Sequence, residues 1–292
     1  MKSRRAGSAP VGGQVTLSAV DRPGWNDETR LFAGVRTPGR PSTDPTSSAP
    51  DVIDPKPAVE HLIEHLGRAR DGEHGECIHQ LRVACRRLLV FLDLADRRAF
   101  REDLRWLREA AAEVRDLEVM IQRSLPLEVV EWFTEQHSAA CTRFRAELET
   151  TRASGLAAAL PWLEPIPVHC VQRELVRVRA SVTRRGAALD SGGDDVRRER
   201  ERLHDLRRAL RRLRYLLSWA GEDPPKIRRL QAALGGMNDL EQLEARLLDY
   251  PHQARIIELR ADVDVRGATA HRASLLAWAD ARETIVQLGI PG

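Results

Sequence analysis

One stretch of this chain occurs twice, and the pair limits the fold more than any other feature. The first copy reads Cys77-Ile78-His79-Gln80-Leu81-Arg82-Val83-Ala84-Cys85-Arg86-Arg87-Leu88-Leu89. The second reads Arg202-Leu203-His204-Asp205-Leu206-Arg207-Arg208-Ala209-Leu210-Arg211-Arg212-Leu213-Arg214. Aligned on the histidine, both are His-x-Leu-Arg-x-x-x-Arg-Arg-Leu. Neither contains Gly or Pro, and both are rich in Leu, Arg and Ala, which predicts helices. On a helix, positions i, i+3 and i+7 share a face. His79, Arg82 and Arg86 then form one stripe, and His204, Arg207 and Arg211 its twin. Beside the first runs an apolar row, Ile78, Leu81, Cys85, Leu88 and Leu92. Beside the second runs Leu203, Leu206, Leu210, Leu213 and Leu217, in the same register. Two core-facing helices, each edged by a histidine and arginines, imply a duplicated architecture.

The match extends past the key helix. Leu107-Arg-Glu-Ala-Ala-Ala-Glu-Val-Arg115-Asp116-Leu117-Glu118 lies over Leu230-Gln-Ala-Ala-Leu-Gly-Gly-Met-Asn238-Asp239-Leu240-Glu241. A chain of 292 residues can bury a substantial core, and 4% aromatic with 30% charged residues suits helices better than sheets. The formal net charge of +3 excludes a general polycation, so any anion site must come from local clustering. The basic residues are nearly all Arg, with lysine only at Lys2, Lys56 and Lys226. Arginine suits bidentate phosphate binding, although codon bias in the source genome explains the total equally well. Cys77, Cys85, Cys141 and Cys170 show no C-x2-C spacing and read as free, mostly buried thiols of a reducing compartment. No apolar run approaches a membrane span, and no apolar region follows Lys2, Arg4 and Arg5 as in a secretory signal. A cytoplasmic protein is expected.

Along the chain, residues 1–52 are rich in Gly, Pro, Ser and Thr without sustained periodicity, and read as a disordered tail. Residues 53–154 form a first helical repeat. A Pro-rich linker spans 155–167, and residues 168–292 form a second repeat. One helix is expected from about Phe100 to Arg123. It carries Arg101, Arg105, Arg108 and Arg115 on one face, some of them paired with Glu102, Asp103 and Glu109. Gly235-Gly236 is expected to kink a later helix. The first helix, from about Pro55, contains His61-Leu-Ile-Glu64-His65, an H-x-x-E-H zinc pattern. No motif places a partner glutamate, so ordinary helix residues account for it better, and no metal site is expected.

These motifs resemble the conserved histidine α-helical domain family, CHAD. The family's marks are a His-x-x-Arg-x-x-x-Arg/Lys-Arg/Lys helix and a following helix ending in Arg-Asp or Asn-Asp plus an apolar residue. Both halves carry both: His79, Arg82, Arg86 and Arg87 with Arg115-Asp116-Leu117, and His204, Arg207, Arg211 and Arg212 with Asn238-Asp239-Leu240. The resemblance covers about residues 54–289. It implies an all-α fold of two pseudo-symmetric four-helix bundles with a basic cavity between them. It also implies binding of inorganic polyphosphate at bacterial polyphosphate granules. In one departure, Leu89 stands where the second copy has Arg214.

Polyphosphate is a flexible polyanion without bases or sugars, so its recognition needs several charge-assisted hydrogen bonds in fixed geometry. Each stripe spans roughly 10 Å, long enough to follow several phosphates. The expected binding set is His79, Arg82, Arg86, Arg87, Arg105, Arg108, Arg115, His204, Arg207, Arg208, Arg211, Arg212, Arg214 and Arg228. For His79 and His204 two readings stand: donation to phosphate, or a structural bond to Asp116 or Asp239. A triphosphate or polyphosphate hydrolase is the first rival, but the Glu-x-Glu-x-Lys motif of hydrolysing relatives is absent, as is a P-loop. No catalytic residue and no cofactor are therefore expected. A nucleic-acid-binding helical protein is the second, against which stands the lack of aromatics among the arginines. Other polyanions fit the same chemistry, no membrane is implied, and the oligomeric state stays open.

Overall fold

The computed structural model describes residues 52–190 and 195–288, and the segment expected as a tail lies outside them except for Val52. The described chain is almost wholly helical. Helix α1 (Lys56–Arg70) starts beside Pro55 and places Pro57 in its first turn, where a missing N–H costs nothing. Gly75 precedes α2 (Glu76–Leu94) with φ 68°, a left-handed conformation that glycine adopts freely. Then come α3 (Arg101–Ala110), α4 (Ala112–Ile121), α5 (Leu127–Leu148) and α6 (Thr151–Ala159). The second half holds α7 (Val168–Asp190), α8 (Val196–Trp219), α9 (Pro225–Leu247) and α10 (Ile257–Gln287). A two-residue strand β1 (Val52–Ile53) pairs antiparallel with β2 (Ile166–Pro167), tying the start of the first half to the connection that enters the second.

Neighbours follow the same cyclic order in both halves. In the first, α1 packs on α2, α2 on α3, α4 on α5, and α5 returns to α1. In the second, α7 packs on α8, α8 on α9, α9 on α10, and α10 returns to α7. The two sets meet where α2 touches α8 and α7. The apolar rows read from the sequence are the centre of each set. Ile78, Leu81, Cys85, Leu88 and Leu92 are each 0% exposed, as are Leu203, Leu206, Leu210 and Leu213. Full burial of each such side chain is worth about 1.5–3 kcal/mol, which fixes the rotation of α2 and α8 and therefore the direction of their arginine edges.

Three element boundaries differ from expectation. The single helix over 100–123 is instead α3 and α4, which join at Ala111. There the Arg82 guanidinium inserts against the backbone, its Nη1 donating to Ala111 O at 3.4 Å and Ala112 O at 2.7 Å. Side-chain insertion into the carbonyl ladder is a common cause of such a break. Conversely, α9 runs unbroken through Gly235-Gly236, where the corresponding Arg207 reaches a side chain and not the backbone. Residues 155–159, placed in the linker, are helical as the end of α6, which Thr150 caps by accepting from Ala153 N. Prolines begin only at Pro161, so nothing stops a helix before it.

Gly186 on α7 marks a close helix contact. A Cβ there would meet the Trp278 ring of α10 at 1.9 to 2.4 Å, and Trp278 is itself only 3% exposed. Gly186→Ala should therefore overpack the α7–α10 seam and cost roughly 1–3 kcal/mol. Urea unfolding of the variant reads this directly, and an unchanged midpoint would contradict the packing described.

Candidate anion-binding site

The arginine edges of α2 and α8 face each other. Arg86 on α2 lies within electrostatic reach of both Arg207 and Arg211 on α8, and Arg82 within reach of Arg211. Burial, then the charges of Arg86 and Arg207, draw the Arg211 guanidinium well below the usual arginine range. Arg82 is pulled to about 10, by burial first and then by Arg86, with Asp116 opposing. Both remain charged at neutral pH. Among the described residues, neither Arg86 nor Arg211 has a hydrogen-bond or ion-pair partner, and Arg86 Nε is fully buried. Arg115 on α4 joins from the side, within reach of His79 and Arg82. The result is a half-buried knot of like charge from three helices.

The first arginine of each motif is anchored. Arg82 Nη1 donates to Asp116 Oδ1 at 3.2 Å as well as to the two carbonyls. Arg207 Nη1 donates to Asn238 Oδ1 at 2.7 Å. Asp116 and Asp239 sit behind the arginines, and the carboxyl of Asp239 is pushed up by burial against the pull of Arg123 and Arg207. Arg123, at the end of α4, approaches Asp239 Oδ2 at 3.9 Å. The sequence reading missed it because it belongs to neither repeated stretch.

The histidines differ between halves. His204 Nε2 lies 2.8 Å from Glu241 Oε2, so the carboxylate that holds it is Glu241, two residues past the expected Asp239. The corresponding Glu118 of the first half turns elsewhere. It accepts from Gly75 N at 2.6 Å and from Arg115 Nη1 at 3.3 Å, and lies 3.6 Å from His137 Nε2. His79 is buried beside the arginines, and its pKa is lowered to about 4 by burial first, then by Arg115, Arg86 and Arg82.

Most of the remaining arginines of the expected set are held by other partners. Arg87 stacks over the Trp219 ring at 4.3 Å, while Trp219 Nε1 donates to Arg87 O at 3.2 Å. Arg212 binds Asp93 at the end of α2 and Glu174 of α7 at 2.9 Å. These two clamp α2 to α8. Arg214 lies 5.9 Å from the Tyr215 ring centroid, near Asp223 and Arg228, and Arg228 pairs with Asp223 at 3.2 Å. Arg208 is exposed and paired with Asp205. Arg105 lies in a shallow surface recess with Glu102, Glu109 and Glu147, and Arg108 pairs with Glu109 at 2.8 Å. A 3.6-residue period drifts about 20° per heptad, and the break at Ala111 adds to this. Arg105 and Arg108 thus belong to α3 and Arg115 to α4.

A family profile described as the CHAD domain matches residues 56–248. Among solved structures, the chain is similar to the crystal structure of the CHAD domain from the plant Ricinus communis. The TM-score is 0.59 at 22% identity, over 80% of this chain and 89% of that one. It is also similar to PptA from Streptomyces chartreusis, with TM-score 0.52 at 16% identity, over 77% of this chain and 99% of that one. At these identities the likeness is one of fold. No curated protein matches the chain.

The depressed pKa of His79 has a measurable consequence. Between pH 6.5 and about 4 the unfolded chain takes up a proton that the folded site refuses. This contribution to stability is complete above pH 6.5 and is lost as pH falls through that window. His79→Gln should flatten the acid limb by up to about 1.4 kcal/mol per pH unit. A shallower slope should persist, because His65 is lowered to about 4 in the same direction. Denaturant unfolding at a series of pH values checks it, and superimposable profiles would refute it.

Proposed function

The chain belongs to the CHAD domain family, and from that premise we propose that it binds inorganic polyphosphate at the α2–α8 arginine knot without hydrolysing it. One observation carries the reading: Arg86 and Arg211 are held near each other, part-buried and without a counter-charge among the described residues. Like charges in a partly desolvated site repel strongly, and a phosphate chain laid between them relieves that repulsion while accepting their hydrogen bonds. Arg82, Arg115 and Arg207 extend the run on both sides. His79 is kept neutral beside the arginines, and His204 is held by Glu241. The halves thus contribute unequally.

Binding without turnover is supported by the state of the carboxylates. Asp116 is engaged by Arg82, and Asp239 lies against Arg123 and Arg207. An Mg2+-assisted hydrolase needs such acids facing its phosphates. The same cyclic helix order in both halves supports reading them as copies of one unit. A binding module of this kind suits recruitment to polyphosphate granules. No helix among the described residues is long and apolar enough to cross a membrane.

Arg86→Ala/Arg211→Ala tests the site most cleanly, because neither side chain bonds to the scaffold. The double variant should fold normally yet lose roughly tenfold or more in affinity for long-chain polyphosphate, given charge-assisted bonds worth about 1.5–3 kcal/mol each. Wild type should gain thermal stability on polyphosphate addition, release no phosphate with Mg2+ present, and yield bound nucleic acid to polyphosphate more readily than the reverse. Undiminished binding by the double variant would move the ligand elsewhere, and released phosphate would make the protein an enzyme.

A further inference from the structure

Helix α1 carries a second chemical cluster, apart from the arginine knot. His61, Glu64 and His65 stand at i, i+3 and i+4, and each offers a ligand atom within 4.8 Å of the other two. The two imidazoles meet edge to face with centroids 4.4 Å apart. Burial is the largest cause lowering the pKa of both, which favours imidazole over imidazolium.

The surroundings orient these rings. His61 Nε2 lies 3.3 Å from Gln80 Oε1, which can only accept. The Gln80 amide nitrogen in turn donates to Glu76, which sets the direction of the amide. His61 therefore holds its proton on Nε2 and its lone pair on Nδ1. A ring N–H bound to an outer acceptor is the arrangement that metal-ligating histidines nearly always show. His65 is 5% exposed, and its Nδ1 is buried without a hydrogen-bond partner. Leaving such an atom unpaired costs about 1–3 kcal/mol. Glu64 is exposed and available: Arg68 approaches it only at 3.7 Å, because the Arg68 guanidinium donates to Glu73 at 2.9 and 2.8 Å.

We propose that α1 holds a transition-metal dication, with His61 and His65 as imidazole ligands, Glu64 as a carboxylate ligand and water completing the shell. Gln80 and Glu76 of α2 support it from outside. Two imidazole nitrogens in the donor set disfavour the oxygen-seeking Mg2+ and Ca2+. Metals that bond covalently to nitrogen, such as Zn2+, Co2+, Ni2+ and Cu2+, fit the donor set. The structure also explains why the H-x-x-E-H pattern is poorly judged alone: the supporting amide comes from another helix.

The test uses the full, metal-stripped chain without polyphosphate. Zn2+ titration by calorimetry should show one site per chain, weakened roughly tenfold or more in His61→Ala and in Glu64→Gln. These positions are only partly buried or exposed, so both variants should keep the wild-type fold by circular dichroism. Co2+ should give the visible absorption of a nitrogen- and oxygen-bound ion. Absence of binding, or affinity unchanged in both variants, overturns the proposal. So does a thiolate-to-cobalt charge-transfer band. That band would place the metal at a cysteine, for example Cys141, whose Sγ lies 3.8 Å from His74 Nδ1 and 3.5 Å from His137 Nε2.

Discussion

The repulsion between Arg86 and Arg211 is the constraint around which α2 and α8 are arranged. Nothing local favours placing together two guanidiniums that have no partner among the described residues. They are held there by what lies on the other side of each helix, where five apolar residues of each row are sealed into their own helix sets. Each fully buried leucine contributes about 1.5–3 kcal/mol, and several of them outweigh a partly screened like-charge contact. Two clamps complete the restraint. Arg87 stacks on Trp219, whose ring also lies 5.3 Å from Phe91, and Arg212 bridges Asp93 and Glu174. Adjacent arginines of one motif therefore do opposite things. Arg86 and Arg211 confront each other, while Arg87 and Arg212, one residue on, bind the helices that carry them.

The halves are similar in helix order and unlike in chemistry. Arg82 is fixed by two backbone carbonyls and Asp116, and its insertion coincides with the junction of α3 and α4. Arg207 is fixed by the Asn238 side chain, and α9 passes through unbroken. Where the first half has Arg115, the second has Asn238, so the first brings one more positive charge to the knot. His204 is held by Glu241, while the matching Glu118 supports Gly75, Arg115 and His137.

Much of this was readable before any coordinates. The period-3.6 apolar rows identified α2 and α8, their buried faces and the rotation of their arginine edges, because side-chain direction on a helix follows from position alone. The repeat placed Arg82 with Arg207 and Arg86 with Arg211. Less legible were the roles of neighbours at a single helical step. Arg87 and Arg86 have the same chemistry in sequence, and so do Arg212 and Arg211. Arg105, Arg108 and Arg115 read as one face in the sequence, yet Arg115 reaches His79 and Arg82 while Arg108 pairs with Glu109.

The sequence by itself determined the helical class, the two key helices and which residues each must bury, since these depend on local periodicity and on the removal of apolar surface from water. Only the tertiary structure decided which arginines lack a counter-charge, which acid holds His204, and that Gln80 of one helix orients His61 of another. Those outcomes turn on contacts between residues far apart in the chain. There, ångström-scale placement separates an ion pair from an open cation, and no spacing rule along a single helix carries that information.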